Sequence, residues 1–481
     1  MRGVVVAVIL AAALPVSAAP FARSGIADWG KPPAAQPEPA FTPPVVTRSR
    51  LANGIAVLVV ENHALPIASI ELVVPGAGAA ADPMRRAGLA AFTADLLDEG
   101  AGGLSARAMA EAEAQLGAQI ALEVDLDAAH VSASTLSTTL DGTLALIAKL
   151  VIQPTFAPGE LARLKGDRLT SIAQLRDRPP EVAAIVLGQA LFGADSGYGH
   201  PEDGTRADVQ AITVADVQAF YRAHWNPATM TLIIAGDVDP KALLGTLEAA
   251  FGSWRPEAAK LATRPITTPP GKRRLLLVDR PGAAQSDVEL GLIGPARNDP
   301  RYFAFEVLRT IVGGGFTGRV TQRLREQLGI IYHATTEMGW AVAPGPFAIG
   351  VAIATPETAT GLAEILAIVD DLAAHDAPAA ELEQAKQNLA RALPEKFATN
   401  AATVDAFADL AELGLPDDTY ARFADGVRKV TAADVRACAQ ALLPSGKLVF
   451  AVVGDLAKIR ASLGKLGLGP PARYDLDARP R

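Results

Sequence analysis

Ile212-Thr213-Val214-Ala215-Asp216-Val217 and Val430-Thr431-Ala432-Ala433-Asp434-Val435 are one phrase written twice, 218 residues apart. The same spacing separates Ala235-Gly236-Asp237 from Val453-Gly454-Asp455, Val57-Leu58-Val59-Val60-Glu61 from Leu275-Leu276-Leu277-Val278-Asp279, and Ile70-Glu71-Leu72 from Val288-Glu289-Leu290. A constant offset at separate places marks a tandem duplication. Within each copy the apolar period alternates. Short β-branched runs (Ile55 to Val60, Ser69 to Val74, Met230 to Ala235) read as strands, and the spacings Leu89-Phe92-Leu96 and Leu140-Leu144-Ile147-Val151 read as helices. The fold class is α+β, in two homologous halves. Thr213 and Thr431, each with Asp three residues on, predict capped helix starts.

The copies set the boundaries around them. Met1-Arg2-Gly3, the apolar run Val4 to Leu14 and Pro15-Val16-Ser17-Ala18-Ala19 have the three regions of a secretory signal peptide, expected over 1–19. The apolar run falls well short of the roughly 20 residues that span a bilayer, so no membrane span is expected. A Pro-rich extended arm follows over 20–44 and a second Pro-rich stretch, 255–272, separates the copies as a linker. The halves are then 45–254 and 273–469, with a tail over 470–481. At 481 residues and 50% hydrophobic content there is enough apolar material for several cores. The single cysteine, Cys438, excludes an internal disulfide and is expected as a buried small residue. A formal net charge of −8 with no dense Lys/Arg cluster argues against nucleic acid as a partner.

One helical stretch carries the chemistry, or the trace of it. Arg86-Ala87-Gly88-Leu89-Ala90-Ala91-Phe92-Thr93-Ala94-Asp95-Leu96-Leu97-Asp98-Glu99-Gly100 resembles the G-L-A-H-F-x-E-H-x-x-x-x-G helix of the insulinase/pitrilysin metallopeptidases. Further resemblance lies in Tyr198-Gly199-His200-Pro201-Glu202-Asp203-Gly204-Thr205, in Phe220 to Met230, in Gly313-Gly314-Gly315-Phe316-Thr317-Gly318 and in Leu324-Arg325-Glu326-Gln327-Leu328-Gly329-Ile330-Ile331-Tyr332. Together these span roughly 48–456. The resemblance implies that each half is a pair of related α/β-sandwich subdomains, the two halves forming a clam-like half-shell. It also implies that two half-shells enclose a chamber for unfolded peptides.

In that family an H-x-x-E-H helix supplies two zinc ligands and the base that activates water. Here Ala91 and Asp95 replace the two histidines and Ala94 replaces the glutamate. The family's third ligand, a glutamate some 76 residues further on, falls at Ser171, a poor zinc ligand. No catalytic residue is intact, and no metal or other cofactor is expected in this chain. His63, His130, His200, His224, His333 and His375 include no pair at i, i+3 or i, i+4, so a relocated zinc site is not read from them. No G-x-S-x-G elbow offers a serine hydrolase instead.

The second half keeps more. In heterodimeric members, including the mitochondrial processing peptidase, a metal-free subunit supplies a substrate clamp of an arginine and a tyrosine seven residues apart. Arg325 and Tyr332 match that spacing. Gly313, Gly314 and Gly315 match its glycine-rich loop, whose bare backbone lets an extended peptide pass. The same glycines satisfy G-x-G-x-x-G, but a dinucleotide fingerprint must follow a strand, and Phe303-Phe305-Leu308-Ile311 reads as helix. The resemblance therefore implies a non-catalytic subunit of a periplasmic heterodimeric zinc metallopeptidase. Its partners would be a homologous zinc-bearing subunit, which holds the zinc, and unfolded peptide substrates. The alternative is a stand-alone periplasmic peptide-binding or scaffold protein derived from a peptidase.

Overall fold

Among the described residues twelve strands form two six-stranded sheets, one per half. The first contains β1 (Thr47–Arg50), β2 (Ala56–Glu61), β3 (Ile67–Pro75), β4 (Gln119–Val124), β5 (Ala128–Leu136) and β6 (Thr231–Gly236). The second contains β7 (Arg274–Asp279), β8 (Gln285–Ile293), β9 (Ile331–Met338), β10 (Pro346–Ala354), β11 (Val449–Gly454) and β12 (Pro471–Tyr474). The computed structural model describes residues 41–255, 265–267 and 271–481. The expected signal peptide 1–19, the expected arm up to residue 40 and most of the expected linker (256–264 and 268–270) lie outside the described residues.

The strand orders are β1-β2-β6-β3-β5-β4 and β12-β7-β11-β8-β10-β9, the same topology twice. Even the registers repeat at 218 residues: Ile70 pairs with Ile234 and Val288 with Val452, while Glu71 pairs with Ser132 and Glu289 with Gly350. The two helix starts repeat as well. The Thr213 and Thr431 hydroxyls each accept from the N–H three residues on at 3.2 Å, and Asp216 and Asp434 accept from the threonine N–H at 2.8 and 2.9 Å. Both are complete capping boxes. The halves differ at one edge: β1 enters antiparallel to β2 from the N-terminal side, whereas β12, from the segment expected as a tail, pairs parallel to β7.

Strand side chains alternate between faces, and here both faces of the central strands are apolar. Val57, Val59, Ile70, Leu72, Leu232 and Ile234 pack against the first half's own helices. The opposite face, with Leu58, Val60, Val73, Ile233 and Ala235, is covered by Val404, Phe407 and Leu410 of the helix Asn400–Glu412, which belongs to the second half. The exchange is reciprocal. Leu276, Val278, Val449, Ala451 and Val453 of the second sheet are covered by Val182, Val186 and Leu191 of the helix Pro179–Phe192, from the first half. Residues 42–481 accordingly form one compact unit. Cys438 is buried within the second half's core, and that burial pushes its thiol up to about 12. Among the described residues no helix is long and apolar enough to cross a membrane.

Candidate functional site

The helix Leu89–Asp98 is set in place by its start. Gly88 takes a left-handed conformation (φ 89°), and a Cβ there would lie 2.9 Å from the Asp203 carbonyl oxygen, so glycine is required on both counts. The fully buried Asp82 carboxylate accepts from Gly88 N–H (2.6 Å) and Ala90 N–H (2.7 Å), satisfying donors that the first turn leaves open. The positions that carry ligands and base in a working inverted zinc motif therefore sit on a well-anchored helix.

Those positions converge. Ala91, Ala94 and Asp95 line a cavity of about 610 Å³ together with Leu122 to Val124, Arg168 and Glu202. Asp95, Arg168 and Ser171 line an adjoining cavity of about 370 Å³. The one of these positions that keeps a charged group, Asp95, is met there by a guanidinium. Arg168, one turn before Ser171 on the helix Pro158–Gln174, donates from Nη2 to Asp95 Oδ2 at 2.8 Å, pairs with Asp203 Oδ1 at 2.6 Å and stacks 5.1 Å from the Phe92 ring. Burial pushes the Asp95 carboxyl above the usual range, and Arg168 works against that shift. Two alanines cannot ligate, and the Ser171 hydroxyl lies 3.5 Å from Arg178. The residues present do not fit a catalytic zinc.

Sequence reading missed Arg168 and Glu202. The first could have been noticed only as a cation one helical turn from a lost ligand. The second is held up to about 6 by burial, then by the neighbouring charges of Asp125 and Asp203. His200, by contrast, is spoken for: its Nε2 lies 3.0 Å from the Ala79 carbonyl and its Nδ1 3.1 Å from that of Pro201. His224 packs against Phe220, and burial lowers its pKa.

The second-half residues lie elsewhere; neither Arg325 nor Tyr332 lines these two cavities. Gly313 ends the helix Tyr302–Gly313, so the glycine run follows a helix and lacks the context of a dinucleotide loop. A Cβ at Gly313 would come within 2.3 Å of Thr336, and one at Gly318 within 2.6 Å of Gly313, so the loop folds tightly on itself. Gly314 and Gly315 open the following single turn. Arg325 sits on a wide π-helical stretch, Gln322–Gln327, and Tyr332 on β9, an edge strand. The Arg325 guanidinium carbon lies 5.4 Å from the Tyr332 ring centre and 5.1 Å from that of Phe316. Tyr332 is 75% exposed and Phe316 71% exposed, so neither aromatic is spent on the core.

Residues 56–196 match the model of the insulinase family, peptidase family M16, and residues 211–389 match that of the peptidase M16 inactive domain. The chain belongs to the insulinase family. Over 177 residues it is 33% identical to an uncharacterised zinc protease of Streptomyces coelicolor, covering 35% of this chain and 37% of that protein. The chain thus spans little more than a third of that curated relative. A longer match, 22% identical over 84% of this chain and 93% of the other, is to a non-peptidase homologue of Helicobacter pylori. Among solved structures, a peptidase M16 inactive domain from Pseudomonas fluorescens superposes with a TM-score of 0.78 at 26% identity, covering 85% of this chain and 98% of that one. Ala91, Ala94, Asp95 and Ser171 stand where the family pattern has its zinc ligands and base, and the long match to a non-peptidase homologue agrees with that loss.

Proposed function

We propose that the chain is the non-catalytic subunit of an exported, periplasmic heterodimeric metallopeptidase. In this reading it binds unfolded peptide and presents Arg325 and Tyr332 to a homologous zinc-bearing partner. The observation that carries it is the half-buried Arg325, ion-paired with Glu326, beside the exposed Tyr332 ring, in a chain where Arg168 is hydrogen-bonded to Asp95 at a former ligand position. A guanidinium fork holds a peptide carbonyl, and a phenol donates to the oxyanion that develops at the scissile carbon. Zinc in the partner supplies the activated water. This chain's part is to position the peptide and share the oxyanion's charge.

Tagged mature chain purified from its native host tests the reading. A homologous subunit with an intact H-x-x-E-H helix should come with it in equal amount, and the pair should cleave unfolded peptides. Recovery of a lone chain, or of a homodimer that binds peptide without cleaving it, would favour the stand-alone binding protein instead.

A further inference from the structure

His130 lies at one of the contacts between the two halves. It projects from β5, and its Nδ1 lies 2.9 Å from Oε1 of Glu71, a β3 carboxylate only 4% exposed. Its Nε2 faces two more carboxylates, Asp125 Oδ2 at 3.1 Å from the β4–β5 turn and Glu412 Oε2 at 3.5 Å from the end of the Asn400–Glu412 helix. The three ligand atoms of Asp125, His130 and Glu412 all lie within 4.8 Å of one another. Beside them opens a cavity of about 570 Å³ whose lining includes Glu71, Glu123, Asp125, Asp405 and Asp409, with no lysine or arginine.

We infer that Asp125, His130 and Glu412 form a structural site for a divalent transition metal, of the zinc class, that ties the second half to the first. Three features favour a metal over a simple ion pair. Ligand atoms roughly 2.0–2.2 Å from a tetrahedral zinc stand about 3.3–3.6 Å apart; the 3.5 Å separation from Glu412 falls in that range, and the 3.1 Å hydrogen bond to Asp125 lies just below it. A buried carboxylate on the other ring nitrogen is the usual support of a metal-bound histidine, since it fixes the tautomer that leaves Nε2 free to ligate. Finally, the carboxylates outnumber the single imidazole, and a dication offsets more of that charge than a proton does. On binding, the ion takes the place of the proton at Nε2, which leaves to solvent, and the cavity leaves the fourth position to water. One imidazole with two carboxylates suits zinc better than magnesium or calcium.

The site is independent of the proposed clamp and distinct from the degenerate helix, so its test stands apart from that of the function. Calorimetric titration of the mature chain with zinc chloride should give one equivalent per chain, and cobalt chloride should give the visible absorption of a low-coordinate histidine site. Glu71→Gln, which touches only the supporting shell, should weaken binding roughly 10–100-fold. His130→Gln and Glu412→Gln should abolish it, whereas Asp95→Asn should leave it unchanged. Circular dichroism checks that each variant is folded. Wild-type chain that takes up no stoichiometric zinc overturns the site whatever the variants do, and so does binding that survives both His130→Gln and Glu412→Gln.

Discussion

Glu71 and Glu289 occupy the same place in the two copies, and their surroundings have diverged. Glu71 meets His130 across β5. In the second half the position matching His130 is Ala348, and burial, then the neighbouring charges of Glu337 and Asp287, push Glu289 up to about 7. The duplication preserved the backbone, register and caps of both copies while the side chains on the sheets took different tasks. The same divergence separates the two candidate sites. In the first half Arg168 is hydrogen-bonded to Asp95 at a former ligand position; in the second, a half-buried Arg325 lies beside the exposed Tyr332 next to a glycine loop.

The reciprocal covering helices make the sharpest structural comparison. If each sheet depends on the other half for its second face, Phe407→Ala should destabilise the first sheet although it lies in the second copy. A fully buried phenylalanine lost from a core costs about 3–5 kcal/mol, read as a lower urea midpoint. Independent melting of the two halves would break the account of their interlocking.

The next largest effect separates the two sites. In the proposed complex Tyr332→Phe should lower turnover roughly 10²–10³-fold with little change in KM, as expected when one oxyanion donor is removed. Arg325→Ala should raise KM as well, because it also removes holding of the ground-state peptide. Arg168→Gln, in the first half, should leave kcat near wild type. Equal losses at Arg168 and Tyr332 would erase the distinction between a spent site and a working one.

The copies differ less dramatically in their response to pH. Glu289 has a raised carboxyl, so the folded state holds its proton more tightly than the unfolded chain, whose glutamate titrates near 4.5. The cost of ionising it is absent below about pH 4.5, grows as pH rises through 7 and is complete above. Glu289→Gln should therefore stabilise by about 1–3 kcal/mol at pH 8 and hardly at all at pH 4.5, the scale of a poorly compensated buried polar group. Thermal melts at the two pH values measure the difference. Smallest of all, Thr213→Ala and Thr431→Ala should each cost about 1 kcal/mol, and by nearly the same amount, because the two capping boxes have nearly the same geometry.

The duplicated strands and capped helices were legible in the sequence because each depends on local spacing: alternation for β2 and β3, and threonine followed by aspartate for the caps. The four positions that the resemblance assigns to ligands and base, Ala91, Ala94, Asp95 and Ser171, could likewise be counted along the chain, and they line two adjoining cavities. The exchange of covering helices was not. Nothing local in Val182 to Leu191 or Val404 to Leu410 says which sheet they cover, and both read simply as apolar helical faces. Arg168 with Asp95 and His130 with Glu412 were hidden for a related reason, being pairs distant in sequence: the first meets only once the first half folds, the second only once the two halves interlock.

Peptide hydrolysis by the purified mature chain, alone and with zinc supplied, tests most directly the claim that the first-half site has lost its chemistry. A mixture of quenched fluorescent unfolded peptides should show no turnover, and neither zinc nor a chelator should change that. Hydrolysis by the lone chain that a chelator abolishes and zinc restores would contradict it.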